Sequence, residues 1–278
     1  MRLLRLNSAA AFEAAAGSWM AADDHTNNLI LSRLRSARFS DDVRSWLAVD
    51  GDEPQLALLE TRLDLVLSGG SVEGAEFLAD NLDVDVRQVV GPAAVADAFA
   101  ARWRQKTGRS GRVSMEMTFY TTERVAEVSR PAGGMRAALG SEMEELAPLA
   151  VAAEREMGVH AAERDPAAIE QTLRQAVDDG QQFVWAEDSN IRAMASYVSP
   201  FKNGGARIRG VYTVPAFRGR GYGSAITAAL AAQLLEGGQA WVALFADNAN
   251  PTSTGIYRRL GFQAHSIFRT WRFDYNSQ

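Results

Sequence analysis

Between residues 208 and 235 the chain has to leave a β-strand, make a turn rich in glycine, and enter an α-helix. Ile208 to Val214 is apolar and β-rich, Ser224 to Leu235 has a helical pattern, and Arg218-Gly219-Arg220-Gly221-Tyr222-Gly223 lies between them. Three glycines alternating with two arginines leave backbone N–H groups open and set positive charge beside them. Open amides at a helix N-terminus, where the macrodipole favours an anion, are the chemistry of a pyrophosphate cradle.

The flanks agree with that reading. No Asp or Glu occurs from Ser189 to Leu235, whereas Arg192, Lys202, Arg207, Arg209, Arg218 and Arg220 all do. The whole chain carries a net charge of −5, which argues against a general nucleic-acid binder. A basic, acid-free stretch in an acidic protein implies one local polyanionic ligand.

The 278 residues suffice for a well-buried core and favour two domains over one. With no cysteine, disulfides, thiolate metal sites and Cys nucleophiles are excluded. His25, His160 and His265 lie far apart, without metal-ligand spacing, so no metal is expected. Asn7 and Glu13 interrupt any signal-peptide apolar run, and no apolar run approaches the roughly 20 residues that span a bilayer. The expectation is a cytoplasmic protein, monomeric or homodimeric, with no membrane and no nucleic-acid partner.

Ser129-Arg130-Pro131-Ala132-Gly133-Gly134 is the best boundary, giving domains 1–130 and 135–278. Beyond it, Ser141 and Glu144 have capping-box spacing, and Met143, Leu146, Leu149, Ala153 and Met157 recur at helical spacing. Asp165-Pro166 opens a second helix, with Ile169, Leu173 and Val177 on one face, that stops at Gly180. Phe183 to Val198 reads as a hairpin turning near Asp188-Ser189-Asn190. After the glycine loop and its helix come a strand Trp241–Phe245, a helix Pro251–Leu260 capped by Gly261, and an aromatic strand Ile267–Phe273 that closes the domain.

The first half shows the same order more faintly. A hairpin Trp46–Glu60 precedes a strand Leu63–Leu67, a helix Val72–Leu82, a strand Val86–Val90, a helix from Gly91-Pro92 to Thr107 and a strand Val113–Thr121. That repetition, at an offset of about 140–150 residues, implies duplication.

A dinucleotide reading of the loop fails on two counts. The third glycine of Gly-x-Gly-x-x-Gly would fall at Ser224, and Pro215-Ala216-Phe217 separates the strand from the glycines. No Gly-Lys-Ser/Thr follows, so a Walker A loop is absent too. A second constellation lies downstream: Asn250 at a helix start and Tyr257 two turns on, followed by Leu260-Gly261-Phe262.

With both constellations present, the segment Val211–Gly223 resembles the acyl-CoA-binding motif of the GNAT superfamily of N-acetyltransferases. The pattern Gln/Arg-x-x-Gly-x-Gly/Ala is met by Arg218, Gly221 and Gly223, and Asn250, Tyr257 and Leu260-Gly261-Phe262 resemble that superfamily's next motif. The resemblance covers roughly residues 135–273. It implies an α/β fold of two GNAT-like domains, each a mixed, mostly antiparallel sheet flanked by helices, the N-terminal one degenerate.

It also implies acetyl-CoA as cosubstrate, with backbone groups of Tyr212, Thr213 and Val214 pairing with the pantetheine arm. The amides of Gly219, Arg220, Gly221, Tyr222, Gly223 and Ser224 would hold the pyrophosphate, and the basic excess with Arg218 would face the remaining phosphate. Asn250 would touch the cofactor, and Tyr257 would give the departing thiolate a proton or a hydrogen bond. Duller roles exist for several of these: Tyr257 as a core aromatic, Asn250 as an N-cap, the arginines as solvated charges of which at most one meets phosphate. His265 is expected to be structural.

Many members of the superfamily carry Glu twelve residues before the Tyr; here Phe245 stands there. Asp247, Glu187, Asp188 and His160 are substitutes on paper, water-mediated deprotonation is equally open, and the base is left unassigned. In the first half Ser68-Gly69-Gly70-Ser71-Val72-Glu73 lacks the arginine motif, and Glu73 would repel a phosphate. The implied activity is acetyl transfer to an amine, of a small molecule or a peptide, without a covalent enzyme intermediate. A longer acyl chain and a non-catalytic acyl-CoA-sensing module are the alternatives.

Overall fold

A computed structural model of the chain describes residues 1–37, 44–61, 64–157, 165–199 and 204–274. The elements of the first half are β1 (Arg2–Leu6), α1 (Ala9–Ala21), α2 (Asn28–Ala37), β2 (Ser45–Asp50), β3 (Glu53–Glu60), β4 (Leu65–Leu67), α3 (Val72–Asn81), β5 (Gln88–Pro92), α4 (Ala93–Thr107) and β6 (Gly111–Thr122). The second half has β7 (Gly134–Ala137), α5 (Met143–Met157), α6 (Pro166–Asp178), β8 (Gln182–Glu187), β9 (Asn190–Val198), β10 (Gly205–Thr213), α7 (Tyr222–Glu236), β11 (Trp241–Asp247), α8 (Pro251–Arg259) and β12 (Gln263–Phe273). The two series match helix for helix and strand for strand, including the β-α-α opening that hydrophobic periodicity did not reveal in the first half. The second series adds two short 3₁₀ turns, at Gly140–Glu142 and Pro215–Phe217.

Residues 123–133 separate β6 from β7, whereas compactness divides the chain differently. One unit comprises Met1–Phe119, Asp247–Ala249 and the chain from Ser266 onward; the other comprises Tyr120–Ala246 and Asn250–His265.

In the first unit the strands lie in the order β1-β2-β3-β4-β5-β12-β6. All the pairs from β1 to β4 are antiparallel, β4 and β5 are parallel, and β12 is antiparallel to β5. Leu56, Leu58 and Leu67 from the strands meet Leu78, Phe99 and Trp103 from α3 and α4 in its core. In the second unit the order is β7-β8-β9-β10-β11, antiparallel except for β10 with β11. One sheet face packs Ile208 and Leu244 against Ile226 and Leu230 of α7 and Tyr257 of α8. The other packs Val184, Ile191, Met194 and Tyr212 against α5 and α6. Each unit is thus a mixed, mostly antiparallel sheet flanked by helices.

The helix of Asp165-Pro166 forms as its sequence predicts, with the Asp165 carboxylate accepting the Ala167 N–H at 3.0 Å. The expected cap at Ser141 does not form. Instead Glu142 Oε2 accepts the Leu139 N–H at 2.8 Å and Arg136 Nη1 at 2.9 Å, while Glu142 Oε1 accepts Arg136 Nη2 at 2.5 Å. That bidentate pair holds the Glu142 carboxyl below its usual range. Helix α5 consequently buries Met143, Leu146, Ala150 and Ala153, leaving Met157 exposed.

The final strand also departs from expectation. Instead of closing the second half, Phe268–Arg272 pair with Gln88–Pro92 of β5 in the first unit. Phe268 packs against Phe119 at 6.2 Å between ring centres, Phe273 is buried in the core, and Trp271 Nε1 donates to Asp97 Oδ1 at 2.8 Å. An alternating aromatic pattern identifies a strand but not the edge it will join; the ion pair of Arg269 with Asp97 and the aromatic seats decide that here.

Phe273→Ala should therefore weaken the first unit by about 3–5 kcal/mol. Urea denaturation followed by amide exchange would show faster opening of β4 and β5 while α7 keeps its protection. Faster opening of α7 alone would contradict the pairing.

Candidate active site

The site is built where β10 and β11 part. They pair in parallel only from Gly205 to Ile208 opposite Trp241 to Leu244, although β10 continues to Thr213. A bulge between Arg209 and Tyr212 shifts the register of β10 on β9. On a regular strand Ile208 and Tyr212 would share a face. Here Ile208 lies in the α7 core and Tyr212 in the α5–α6 core, so the bulge turns the end of β10 over.

The ladder beyond the bulge determines which backbone groups face the gap. Val214 donates its N–H to the Arg192 carbonyl of β9 at 3.0 Å. Alternation then turns the N–H and C=O of Thr213 away from β9, toward the side where β11 has departed, and those of Tyr212 toward β9.

The 3₁₀ turn at 215–217 is the spacer that excluded a dinucleotide loop, and after it come the glycines. Gly219 and Gly221 have φ of +76° and +88°, and an added Cβ at either would meet nothing within 4 Å. Glycine is required there for its backbone conformation alone. Gly221 is the N-cap of α7, with no side chain accepting from the first turn and no acidic residue in that turn. The amides leading into α7 are left for an outside acceptor.

Arg218 and Arg220 point to different sides. Arg218 donates to Glu156 Oε2 of α5 at 2.7 Å and to the Thr213 carbonyl at 3.2 Å, with its guanidinium 5.2 Å from the Tyr212 ring centre. Glu156 Oε1 accepts the Tyr212 O–H at 3.0 Å. Burial, followed by that carboxylate, pushes the Tyr212 phenol up. Arg220 lies 5.3 Å from the Phe217 ring centre, and Arg192 lies 3.9 Å from the same ring.

Glu187 closes this second side. Its Oε2 accepts the Tyr222 O–H at 2.7 Å and Arg192 Nε at 3.1 Å. Those two bonds, the tyrosine's first, hold the Glu187 carboxyl below its ordinary range. A carboxylate so satisfied is a poor proton acceptor at neutral pH. Asp247 accepts the Ala249 N–H at 2.9 Å, Asp188 sits at left-handed φ in the hairpin turn, and His160 and Lys202 lie outside the described residues. Phe245, twelve residues before Tyr257, has the Arg207 guanidinium 5.4 Å from its ring centre.

On α8, Asn250 Oδ1 caps the helix through the Ser253 N–H at 3.2 Å. Tyr257 is buried against Leu260 and Phe262, its ring 6.2 Å from that of Phe262, and burial pushes its phenol up to about 12. Among the described residues its hydroxyl has no hydrogen-bond partner.

The equivalent loop of the first unit is closed. Gly69 donates its N–H to Asn27 Oδ1 at 2.8 Å, Ser71 to the Gln55 carbonyl at 2.9 Å, and Gly74 to Ser71 Oγ at 3.0 Å. Ser71 caps α3, and Glu73 stands in its first turn. The expected degeneracy has a structural form: two side-chain oxygens and a backbone carbonyl of the protein itself occupy the donors.

Glu156 was missed from sequence. The only signal was a carboxylate three residues beyond Ala153 on the buried face of α5.

The site thus consists of a parted parallel strand pair leading into an uncapped, acid-free helix N-terminus, with a buried phenol on the next helix. Residues 144–262 match the acetyltransferase (GNAT) family, and the C-terminal half carries a GNAT acetyltransferase domain. Over the whole chain the fold resembles a GNAT-family acetyltransferase from Colwellia psychrerythraea (TM-score 0.65, 11% identity, covering 99% of this chain and 100% of that one). It also resembles a Drosophila protein (0.66, 12%, 99% and 99%) and a tandem GNAT protein from the clavulanic acid biosynthesis pathway (0.56, 13%, 100% and 100%). A search of curated protein sequences finds no match. No described helix is long and apolar enough to cross a membrane.

The raised Tyr257 phenol has a measurable consequence. Its folded value of about 12 lies above the ordinary 10.0, so its stabilising contribution is complete below pH 10 and declines as pH rises through about 12. Ultraviolet titration of the folded protein should show one phenol ionising near pH 12 that Tyr257→Phe removes. A difference spectrum between the two proteins centred near pH 10 would contradict this.

Proposed function

We propose that this chain is an N-acetyltransferase that moves an acetyl group directly from acetyl-CoA to an amine of a small molecule. The observation that carries the reading is the open N-terminus of α7 beside the parted strands, set against its closed counterpart at α3.

The residues present fit the donor. The amides of Gly219, Arg220, Gly221, Tyr222, Gly223 and Ser224 would hold the pyrophosphate, with Arg220 the nearer guanidinium and Arg218 drawn to Glu156. Thr213 would pair with the pantetheine arm through its backbone, as an added strand does. Tyr212 and Val214, which the resemblance named beside it, would support that edge through their bonds to β9. Asn250 would act first as the cap of α8.

The bound thioester supplies the acyl group and a thiolate leaving group. Tyr257 stays protonated at neutral pH and would give its proton to that thiolate. Glu187 and Asp247 are both engaged in hydrogen bonds, so the amine would lose its proton through water. No Cys is present to carry the acyl group. A non-catalytic acyl-CoA-binding module is the second reading, favoured by Phe245 standing in place of an acid and opposed by Tyr257. A peptide amine is the third; the acceptor side carries no motif that separates it from a small amine.

The experiment is thiol release from acetyl-CoA with a panel of polyamines, aminoglycosides, amino acids and a short peptide. Tyr257→Phe should lower turnover on the accepted amine by about 10²-fold with KM for acetyl-CoA little changed. Tight CoA binding without turnover on any amine would replace the enzyme reading with the binding module.

A further inference from the structure

Three arginines stand around the glycine loop, and one of them is held differently from the others. Arg218 is paired with Glu156 at 2.7 Å and Arg192 with Glu187 at 3.1 Å. Arg220 is exposed, and among the described residues no carboxylate pairs with it. Its contact is with a ring: the guanidinium lies 5.3 Å from the Phe217 ring centre. All of these groups belong to the second unit.

Phe217 is the last residue of the 3₁₀ turn, half-buried and packed against the α7 core. Two further groups fix its ring. The Arg192 guanidinium lies 3.9 Å from the ring centre, and the Tyr222 ring stands at 87° to it with centres 6.2 Å apart. Glu187 joins those two by accepting hydrogen bonds from both.

Packing alone does not call for this arrangement. Two guanidiniums drawn to one ring repel each other, and Glu187 forms an ion pair with only one of them. Its carboxyl is held low by Tyr222 first and Arg192 second, with Arg220 adding the last pull. A ring face attracts a guanidinium without taking any of its N–H donors. Arg220 is therefore held in place with its charge and its donors still available to an anion. A carboxylate partner would have occupied both, as Glu156 does at Arg218.

We propose that Phe217 is a positioning residue for Arg220, holding its guanidinium at the glycine loop for the pyrophosphate of the donor. The inference rests on the proposed acetyl-CoA reading of that loop. It predicts that the two residues act as a unit, so that loss of the ring matters only while Arg220 is present.

The test is a double-mutant cycle on the full chain, read as the dissociation constant for CoA by calorimetry. Phe217→Leu, which keeps an apolar side chain on the core, should weaken CoA binding about two- to fivefold. Arg220→Ala should weaken it about tenfold, and adding Phe217→Leu in that background should cost less than about 1.5-fold. Phe217→Tyr, which retains a ring face, should bind within about 1.5-fold of the wild type. Fluorinated phenylalanines at position 217 keep the shape of the ring and withdraw charge from its face, so binding should weaken stepwise with fluorine number.

An equal loss from Phe217→Leu with and without Arg220, or fluorinated rings that bind like phenylalanine, would make the role one of packing and overturn the proposal. If the wild type binds no CoA, the donor reading of the loop fails on its own, and spectra of the free protein decide the positioning separately. The ring current of Phe217 should displace the Arg220 Nε–Hε signal. A signal that differs between wild type and Phe217→Leu, but not between wild type and Phe217→Tyr, supports the proposal; the same signal in all three overturns it.

Discussion

The parallel pairing of β10 with β11 ends at Ile208 and Leu244, and the character of the second unit follows from that early end. A strand that continues past its partner exposes a row of N–H and C=O groups that must find hydrogen bonds elsewhere. The bulge at 209–212 brings Tyr212 onto the α5 side, where its hydroxyl meets Glu156, and leaves the outward backbone groups of Thr213 facing the gap. An extended ligand can complete that edge as a further strand. The 3₁₀ turn at 215–217 then sets the glycine loop and α7 at the end of the same edge, so a ligand paired there would have its anionic end at the uncapped helix.

The two halves show how one topology acquires or loses a site through a few polar atoms. In both, a strand leads through glycines into a helix, α3 in one case and α7 in the other. At α3, Asn27, Ser71 and the Gln55 carbonyl take the donors, and Glu73 opposes any anion. At α7, glycine in the left-handed region caps the helix without an acceptor, and Arg192, Arg218 and Arg220 stand beside the loop, the first two paired with Glu187 and Glu156. An unfilled helix N-terminus costs stability that a bound anion restores.

Much of this was legible in the amino-acid sequence, for reasons particular to each element. The glycine loop, the Asp165 cap, the hairpin turn at Asp188-Ser189 and the α8 cap are local, with chemistry contained in four or five consecutive residues. The β-α-α opening of the first half was not legible, because α1 is rich in alanine all round and has no apolar stripe to read. The destination of β12 was equally hidden, since alternation sets Phe268 and Thr270 on one face and Trp271 and Phe273 on the other whichever edge the strand joins. Glu156 and Glu116 reach Tyr212 and Asn248 across separations of 56 and 132 residues. No spacing rule reaches that far; such pairs become visible only when the fold brings them together.

One cradle is open and the other closed, and amide spectra with CoA address that difference directly. In ¹H–¹⁵N correlation spectra titrated with CoA, the amides of Gly219 to Ser224 should shift together with Thr213, saturating at one CoA per chain. Those of Gly69 to Gly74 should not move. Saturation at two equivalents with shifts in Gly69 to Gly74, or shifts that spare Gly219 to Ser224, would contradict the account.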